Sequence, residues 1–152
     1  MSEAIIFIGI QASGKSTFYR ERFFRTHLRV NLDMLKTRHR EQKLIEYCID
    51  IRLSFVVDNT NPTRIEREKY IRIAKSSGFS IIGYFFQSQI QCCLKRNNLR
   101  SGIEKIPEIG VRGVHSKLEM PIYSEGFDKL HFVKINPKGG FLVSPWVINS
   151  EI

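Results

Sequence analysis

Gly9-Ile-Gln-Ala-Ser-Gly14-Lys15-Ser16 is the stretch that decides how this chain folds. The eight residues fit the pattern G-x-x-x-x-G-K-[ST], the P-loop, and their surroundings are those the pattern requires. Ala4-Ile5-Ile6-Phe7-Ile8 precedes them as a short apolar run, which reads as a buried strand. Thr17–Phe24 follows and reads as a helix, with apolar side chains at 19, 23 and 24. A strand, a glycine loop and a helix N-terminus in succession aim backbone N–H groups at one point, where a chain of phosphates can rest. Gly9, Gln11, Ala12, Ser13, Gly14 and Thr17 are the expected loop contacts. Lys15 is placed to reach the outer phosphates, and the Ser16 hydroxyl to join Mg²⁺.

The rest of the chain extends that unit. Further strands are expected at 29–31, 54–57 and 79–86, with helices at about 15–25, 40–52 and 63–77 between them. This alternation predicts an α/β fold, an open parallel sheet with helices on both faces. Asn61-Pro62-Thr63 carries helix-start chemistry, with Pro62 suited to the first turn, and Gly78 stands where a helix ends. Helices at about 88–98 and 107–119 follow. Lys138-Gly139-Gly140 reads as the turn of a C-terminal strand pair at about 130–147. With 152 residues and no linker or repeat, residues 1–152 read as one domain.

Composition narrows the setting. A hydrophobic content of 42% without an apolar run near the ~20 residues of a membrane span predicts a protein that does not cross a membrane. No secretory leader is legible at the N-terminus, which makes an intracellular, cytoplasmic location the expectation. Cys48, Cys92 and Cys93 offer no disulfide framework and no zinc spacing, so all three read as small buried hydrophobes. The 24 Lys and Arg against 15 Asp and Glu give a net charge of +9, a field that draws polyanions. Oligomeric state is not legible.

Ligands of open parallel sheets sit beyond the carboxyl ends of the strands, so polar groups there are the ones to weigh. Asp33 follows the strand Leu28-Arg29-Val30-Asn31. It reads either as a general base for an acceptor hydroxyl or as the N-cap of a helix beginning there. Asp58 ends Leu53-Ser-Phe-Val-Val57 and reads as a Walker-B-type carboxylate on Mg²⁺, or as a cap for the Pro62 helix. Asn59 and Asn61 read as caps or as substrate contacts. Arg96 and Arg100, spaced i, i+4, share one helix face and suit a lid of about 96–119 over the phosphates. Lys36, Arg38 and Arg40 crowd the segment past Asp33, where they would hold acceptor phosphates or form a solvated basic turn.

Taken together, Gly9–Thr17, Asn31-Leu32-Asp33, Asp58-Asn59-Thr60-Asn61-Pro62 and Arg96-Asn97-Asn98-Leu99-Arg100 resemble the polynucleotide 5′-kinase family of P-loop kinases. Tyr123-Ser-Glu-Gly126-Phe127 extends the likeness, which spans roughly residues 4–135. The resemblance implies a transferase using ATP and Mg²⁺ on the 5′-hydroxyl of DNA or RNA, with a role in nucleic-acid repair. Asp33 would be the base, Lys15, Arg96 and Arg100 the phosphate-side catalysts, and Ser16 and Asp58 the metal side. Lys36 matches a position that some members use against substrate phosphate. Three features depart from the family. Leu32 stands where Arg or Ser is common, only 25 positions separate Asp33 from Asp58, and Arg52-Leu53 replaces a glycine. No Asp-x-Asp-x-[Thr/Val] phosphatase motif is present. A P-loop kinase of a small-molecule hydroxyl is the main alternative, and an ATP-bound nucleic-acid-binding module the second.

Overall fold

The computed structural model describes residues 1–147; the last five residues of the expected domain lie outside it. Six strands form one sheet: β1 (Glu3–Ile8), β2 (Leu28–Val30), β3 (Phe55–Val57), β4 (Ser80–Phe86), β5 (Lys129–Ile135) and β6 (Phe141–Pro145). Their order is β2-β3-β1-β4-β5-β6. The first five run parallel, and β6 returns antiparallel on β5, with Val133 opposite Val143. The sheet is therefore the parallel α/β sheet expected of a P-loop kinase fold, extended by a C-terminal hairpin.

Alternation of side chains along β1 explains its central place. Ala4, Ile6 and Ile8 enter one core with Phe55, Val57, Ile81 and Phe85. Ile5 and Phe7 enter another with Val56, Ile82 and Phe86. A strand buried on both faces needs an unbroken apolar run, which is what residues 4–8 supply. Helix α1 (Lys15–Arg22) covers the second face through Phe18 and Tyr19. Helices α3 (Arg38–Asp50) and α4 (Arg64–Ser76) cover the first through Ile45, Cys48, Tyr70, Ile71 and Ala74. Between β2 and α3 lies a single turn, α2 (Leu32–Leu35). Helices α5 (Ile90–Asn98) and α6 (Glu108–Lys117) form a third small core with Ile10 at the end of β1, through Cys93, Leu94 and Val111.

Helix ends differ from the sequence expectation where capping overrides periodicity. Pro62 is not in the first turn of α4. Thr63 caps that helix, exchanging hydrogen bonds with Glu66 in a capping box, and Pro62 stays outside. Helix α3 begins at Arg38 because the Thr37 side chain accepts from Arg40 N, and it ends before Arg52, whose φ is 59°. Strand β2 stops at Val30 because Asn31 turns its side chain to Met34 N and caps α2. Gly78, with φ 81°, follows α4 as expected. Of the cysteines, Cys48 and Cys93 are buried, but Cys92 is exposed. The single tryptophan, Trp146, packs on Phe85 and Phe132 just past β6 and donates from Nε1 to Pro121 O at 2.9 Å.

Candidate active site

The loop Gly9–Ser16 joins β1 to α1 at the carboxyl edge of the sheet, where the strand order reverses direction around β1. Two of its glycines are required by packing. A Cβ on Gly9 would stand 2.8 Å from Ser13 Oγ and 2.9 Å from Phe86 Cβ. Gly14 has φ 101°, and a Cβ there would meet the Phe141 ring at 2.9 Å. Ala12 holds a left-handed φ of 63° without being glycine, a local strain of the kind that persists at functional sites. The loop is tied down from outside: Gly9 N donates to Thr60 O at 3.0 Å, and Ile10 N to Ser88 Oγ at 3.1 Å.

Lys15 opens α1 and folds back over the loop, donating from Nζ to Gly9 O and Ile10 O at 2.8 Å each. Burial pushes its pKa down to about 8; Asp58 and Asp33 pull it up, and Arg100 pushes it down. Three expected site residues thus act electrostatically on Lys15. Phosphate oxygens brought to this loop would compete with the two carbonyls for Nζ and favour its charged form.

Beside Lys15, Ser16 Oγ donates to Asp58 Oδ2 at 3.2 Å. Asp58 is 2% exposed. The capping alternative for Asp58 is excluded, since Thr63 caps α4. Between hydroxyl and carboxylate stands a residue that sequence reasoning missed. Arg29, in β2, donates from Nε to Asp58 Oδ2 at 2.8 Å and from Nη2 to Ser16 Oγ at 2.9 Å. A guanidinium bridging these two oxygens shows that the pair is set to hold positive charge. An alcohol and a carboxylate are also hard oxygen donors of the kind Mg²⁺ takes, so the residues fit such an ion.

On the other side, Asp33 lies in the first turn of α2 and is exposed. Asn31, not Asp33, is the cap, and Asp33 makes no hydrogen bond or ion pair among the described residues. Its carboxylate is free. Lys36 ends α2 with φ 76° and is exposed, as are all residues from 36 to 40. Arg38 donates to Glu41 Oε1 at 3.1 Å and to Tyr70 OH at 3.0 Å, and Arg40 donates to Leu35 O at 3.1 Å. Both arginines keep donors to spare, since each guanidinium carries five. The two asparagines behave differently. Asn61 is 5% exposed and donates to Phe7 O at 2.7 Å, which places it inside the fold as a link between β1 and the loop after β3. Asn59 accepts from Leu32 N at 2.9 Å and donates to Glu41 Oε2 at 2.9 Å, behind the Asp33 turn.

From α5, Arg96 donates from Nε to Ala12 O at 2.6 Å, bridging that helix to the loop. Arg100 reaches Glu104 O at 3.4 Å. With Gly14, Thr17, Ile135 and Phe141 they border an open cavity of about 300 Å³ above the N-terminus of α1. Gln11 Oε1 is buried without a hydrogen-bond partner among the described residues, an acceptor within the loop that awaits a donor. The Tyr123–Phe127 stretch contributes at a distance: Glu125 pairs with the fully buried Arg67 at 2.8 Å, and Arg67 also donates to Asn61 O at 2.9 Å. Arg67 gave no signal in the sequence beyond an arginine in a helix of alternating charges.

This fold and site define a P-loop kinase domain. Residues 5–121 match the AAA_33 family, described as an AAA domain, and the chain belongs to it. The polynucleotide-kinase resemblance also holds in a second comparison. The chain is 31% identical over 135 residues to the bifunctional polynucleotide phosphatase/kinase of Schizosaccharomyces pombe, covering 86% of this chain and 33% of that protein. It thus spans about a third of the length of this curated relative. Among solved structures, Kti12 of Chaetomium thermophilum in complex with ADP-AlF3 superposes with a TM-score of 0.69 at 13% identity, over 86% of this chain and 88% of that one. A gluconokinase of Sinorhizobium meliloti 1021 superposes with a TM-score of 0.59 at 17% identity, over 86% and 81%. These two likenesses are of fold. No helix among the described residues is long and apolar enough to cross a membrane.

Proposed function

We propose that this kinase domain transfers the γ-phosphoryl group of ATP to the 5′-hydroxyl end of a DNA or RNA strand. The observation that carries the reading is the free Asp33 carboxylate, whose charge reaches Lys15 across the site and whose turn opens onto an exposed basic segment. A pocket for a small metabolite would enclose its acceptor. Here Lys36, Arg38 and Arg40 stand on an open surface, which suits a strand with phosphates on both sides of the reacting sugar. The net charge of +9 favours the same partner.

The chain's own groups divide the work. The loop N–H groups and Lys15 hold the outer phosphates, and Arg96 and Arg100 close over them as a lid. Asp33 accepts the hydroxyl proton while the acceptor oxygen bonds to the γ-phosphorus and the bond to the β–γ bridging oxygen breaks, releasing ADP. Ser16 and Asp58 would hold Mg²⁺, which when bound would supply positive charge to the reaction. Little covalent work falls to the protein, so positioning and charge account for the rate.

The test is direct. Incubation with γ-labelled ATP and a panel of 5′-hydroxyl DNA, 5′-hydroxyl RNA, nucleosides and sugars is expected to label the oligonucleotide ends. Label on a sugar or nucleoside and on neither oligonucleotide overturns the acceptor assignment while leaving the kinase class intact. Asp33→Asn separates transfer from mere binding, because an ATP-bound nucleic-acid-binding module would keep its function in that variant.

A further inference from the structure

Glu41 sits in the first turn of α3 and is only 3% exposed. An acid in that position of a helix ordinarily faces water and the helix dipole. Instead, four donors surround this carboxylate. Tyr70 OH donates to Oε1 at 2.9 Å, Arg38 Nη1 to Oε1 at 3.1 Å and Asn59 Nδ2 to Oε2 at 2.9 Å, while Lys69 Nζ stands at 3.8 Å. Burial and the adjacent Glu41 charge push the Tyr70 hydroxyl well above its ordinary pKa, so it remains a donor throughout.

The Asn59 contact continues into the site. Its other amide atom, Oδ1, accepts from Leu32 N at 2.9 Å. On the far side of Asp33, Met34 N donates to Asn31 Oδ1 at 3.0 Å, and Asn31 Nδ2 is fixed by Asp58 O at 2.7 Å. The N–H groups flanking Asp33 are thus both held by asparagine side chains. Helix α2 is four residues long, far below the length at which a helix persists unaided, so these clamps decide where it stands. Among the described residues, Asp33 itself has no hydrogen bond or ion pair to aim it.

We propose that Glu41 is a positioning residue for phosphoryl transfer: acting through Asn59, it orients the Leu32–Asp33 turn and thereby places the Asp33 carboxylate at the acceptor hydroxyl. The inference rests on the reading of Asp33 as the acceptor-side base. Its specific content is the polarity of the link. A carboxylate at 41 can only accept, so together with the Leu32 N–H it fixes Asn59 with Nδ2 towards α3 and Oδ1 towards Leu32. An amide at 41 lets Asn59 turn over, which sets donor against donor at Leu32 N and releases the turn. Misplacement of a reacting group by an ångström lowers turnover by about a hundredfold.

The experiment uses E41Q, N59D and the double variant E41Q/N59D, each alone and in a D33N background. The double variant exchanges carboxylate and amide and so rebuilds the link with its polarity reversed: the introduced Asp accepts from Leu32 N and from the introduced Gln. E41Q is expected to lower kcat for 5′-hydroxyl transfer about ten- to hundredfold with ATP affinity unchanged, and E41Q/N59D to recover most of that loss. In the D33N background E41Q should add no further loss. A loss of equal size with and without Asp33, or no recovery in the exchanged pair, overturns the proposal. Amide hydrogen exchange at Leu32 and Met34 supplies a second readout that needs no acceptor. Faster exchange at Leu32 in E41Q and its reversal in the pair support the link, and unchanged exchange overturns it. If the wild-type chain labels no oligonucleotide, the acceptor reading fails by itself, and the exchange data still decide whether Glu41 holds the Leu32–Asp33 turn.

Discussion

The two halves of this site are built on opposite plans. The donor half is made of main chain: a loop whose glycines have no room for a Cβ, a lysine buried against two carbonyls, and ties to Thr60 and Ser88 that hold the loop in place. The acceptor half is made of side chains: a single helical turn held by two asparagines, an unpartnered aspartate and a run of exposed basic residues. The difference matches the ligands proposed above. A nucleotide's phosphate chain is the same in every turnover, so rigid N–H groups suit it. A polynucleotide acceptor, as proposed, would vary in sequence and would call for a fixed base and adaptable charges around it.

Breaking the donor half should cost most. Lys15→Ala is expected to reduce phosphoryl transfer by about a thousandfold or more, in line with the loss of a group that stabilises transition-state charge. Labelled-phosphate transfer under saturating acceptor measures it; a loss under tenfold would place the charge stabilisation elsewhere. Asp33→Asn comes next, with kcat lowered about a hundred- to ten-thousandfold and ATP affinity nearly unchanged. Near-full turnover in that variant would end its assignment as the base and leave the acceptor half without a chemical role.

Arg29→Met tests the seam between the halves through stability. It leaves the buried Asp58 carboxylate without its guanidinium. Removing one partner of a buried pair costs about 3–5 kcal/mol. The Arg29 side chain is 28% exposed, so the loss should be nearer ~1–2 kcal/mol. Thermal denaturation should show that loss without nucleotide, and Mg²⁺ with ATP should stabilise the variant more than the parent chain. Equal stabilisation of both would separate Arg29 from the cation site.

Smaller still is the pH effect on the donor side. In the free chain Lys15 loses its proton around pH 8, because burial lowers its pKa. Phosphates raise that pKa, so above about pH 8 binding takes up a proton and ATP affinity falls, by at most about tenfold per pH unit. Calorimetry in buffers of different ionisation enthalpy should report proton uptake above that pH and none well below it. The mildest change is Lys36→Ala, which should weaken oligonucleotide binding a few-fold and reduce its salt slope by about 0.7–0.9. A slope that does not move would mean that Lys36 meets no phosphate.

Legibility in the sequence followed the same division. The donor half is local in the chain, so the loop, the strand before it and the helix after it could be read from one unbroken stretch, Ala4–Phe24. Asp58 could be read from its place at a strand end. Arg29, Glu41 and Arg67 could not, since each takes its meaning from a partner far along the chain: Asp58, Asn59 and Glu125 respectively. Glu41 in particular sits among Arg, His, Gln and Lys in α3 and reads as one more surface charge. Asn59 and Asn61 look alike beside each other, yet one serves the Asp33 turn and the other serves β1. Pro62 misled the reading of α4 because Thr63 and Glu66 offered two hydrogen bonds where the proline offered only a fixed φ.

Trp146, seated on Phe85 and Phe132 with its N–H on Pro121 O, gives the chain an optical consequence. It is the only indole in the sequence, and it lies just past β6 rather than among the site residues. Its emission therefore reports whether the C-terminal hairpin is docked, and a red shift on heating or in urea marks the loss of that docking without any label. Nucleotide titrations can be followed by added fluorophores without a competing indole signal from the phosphate loop.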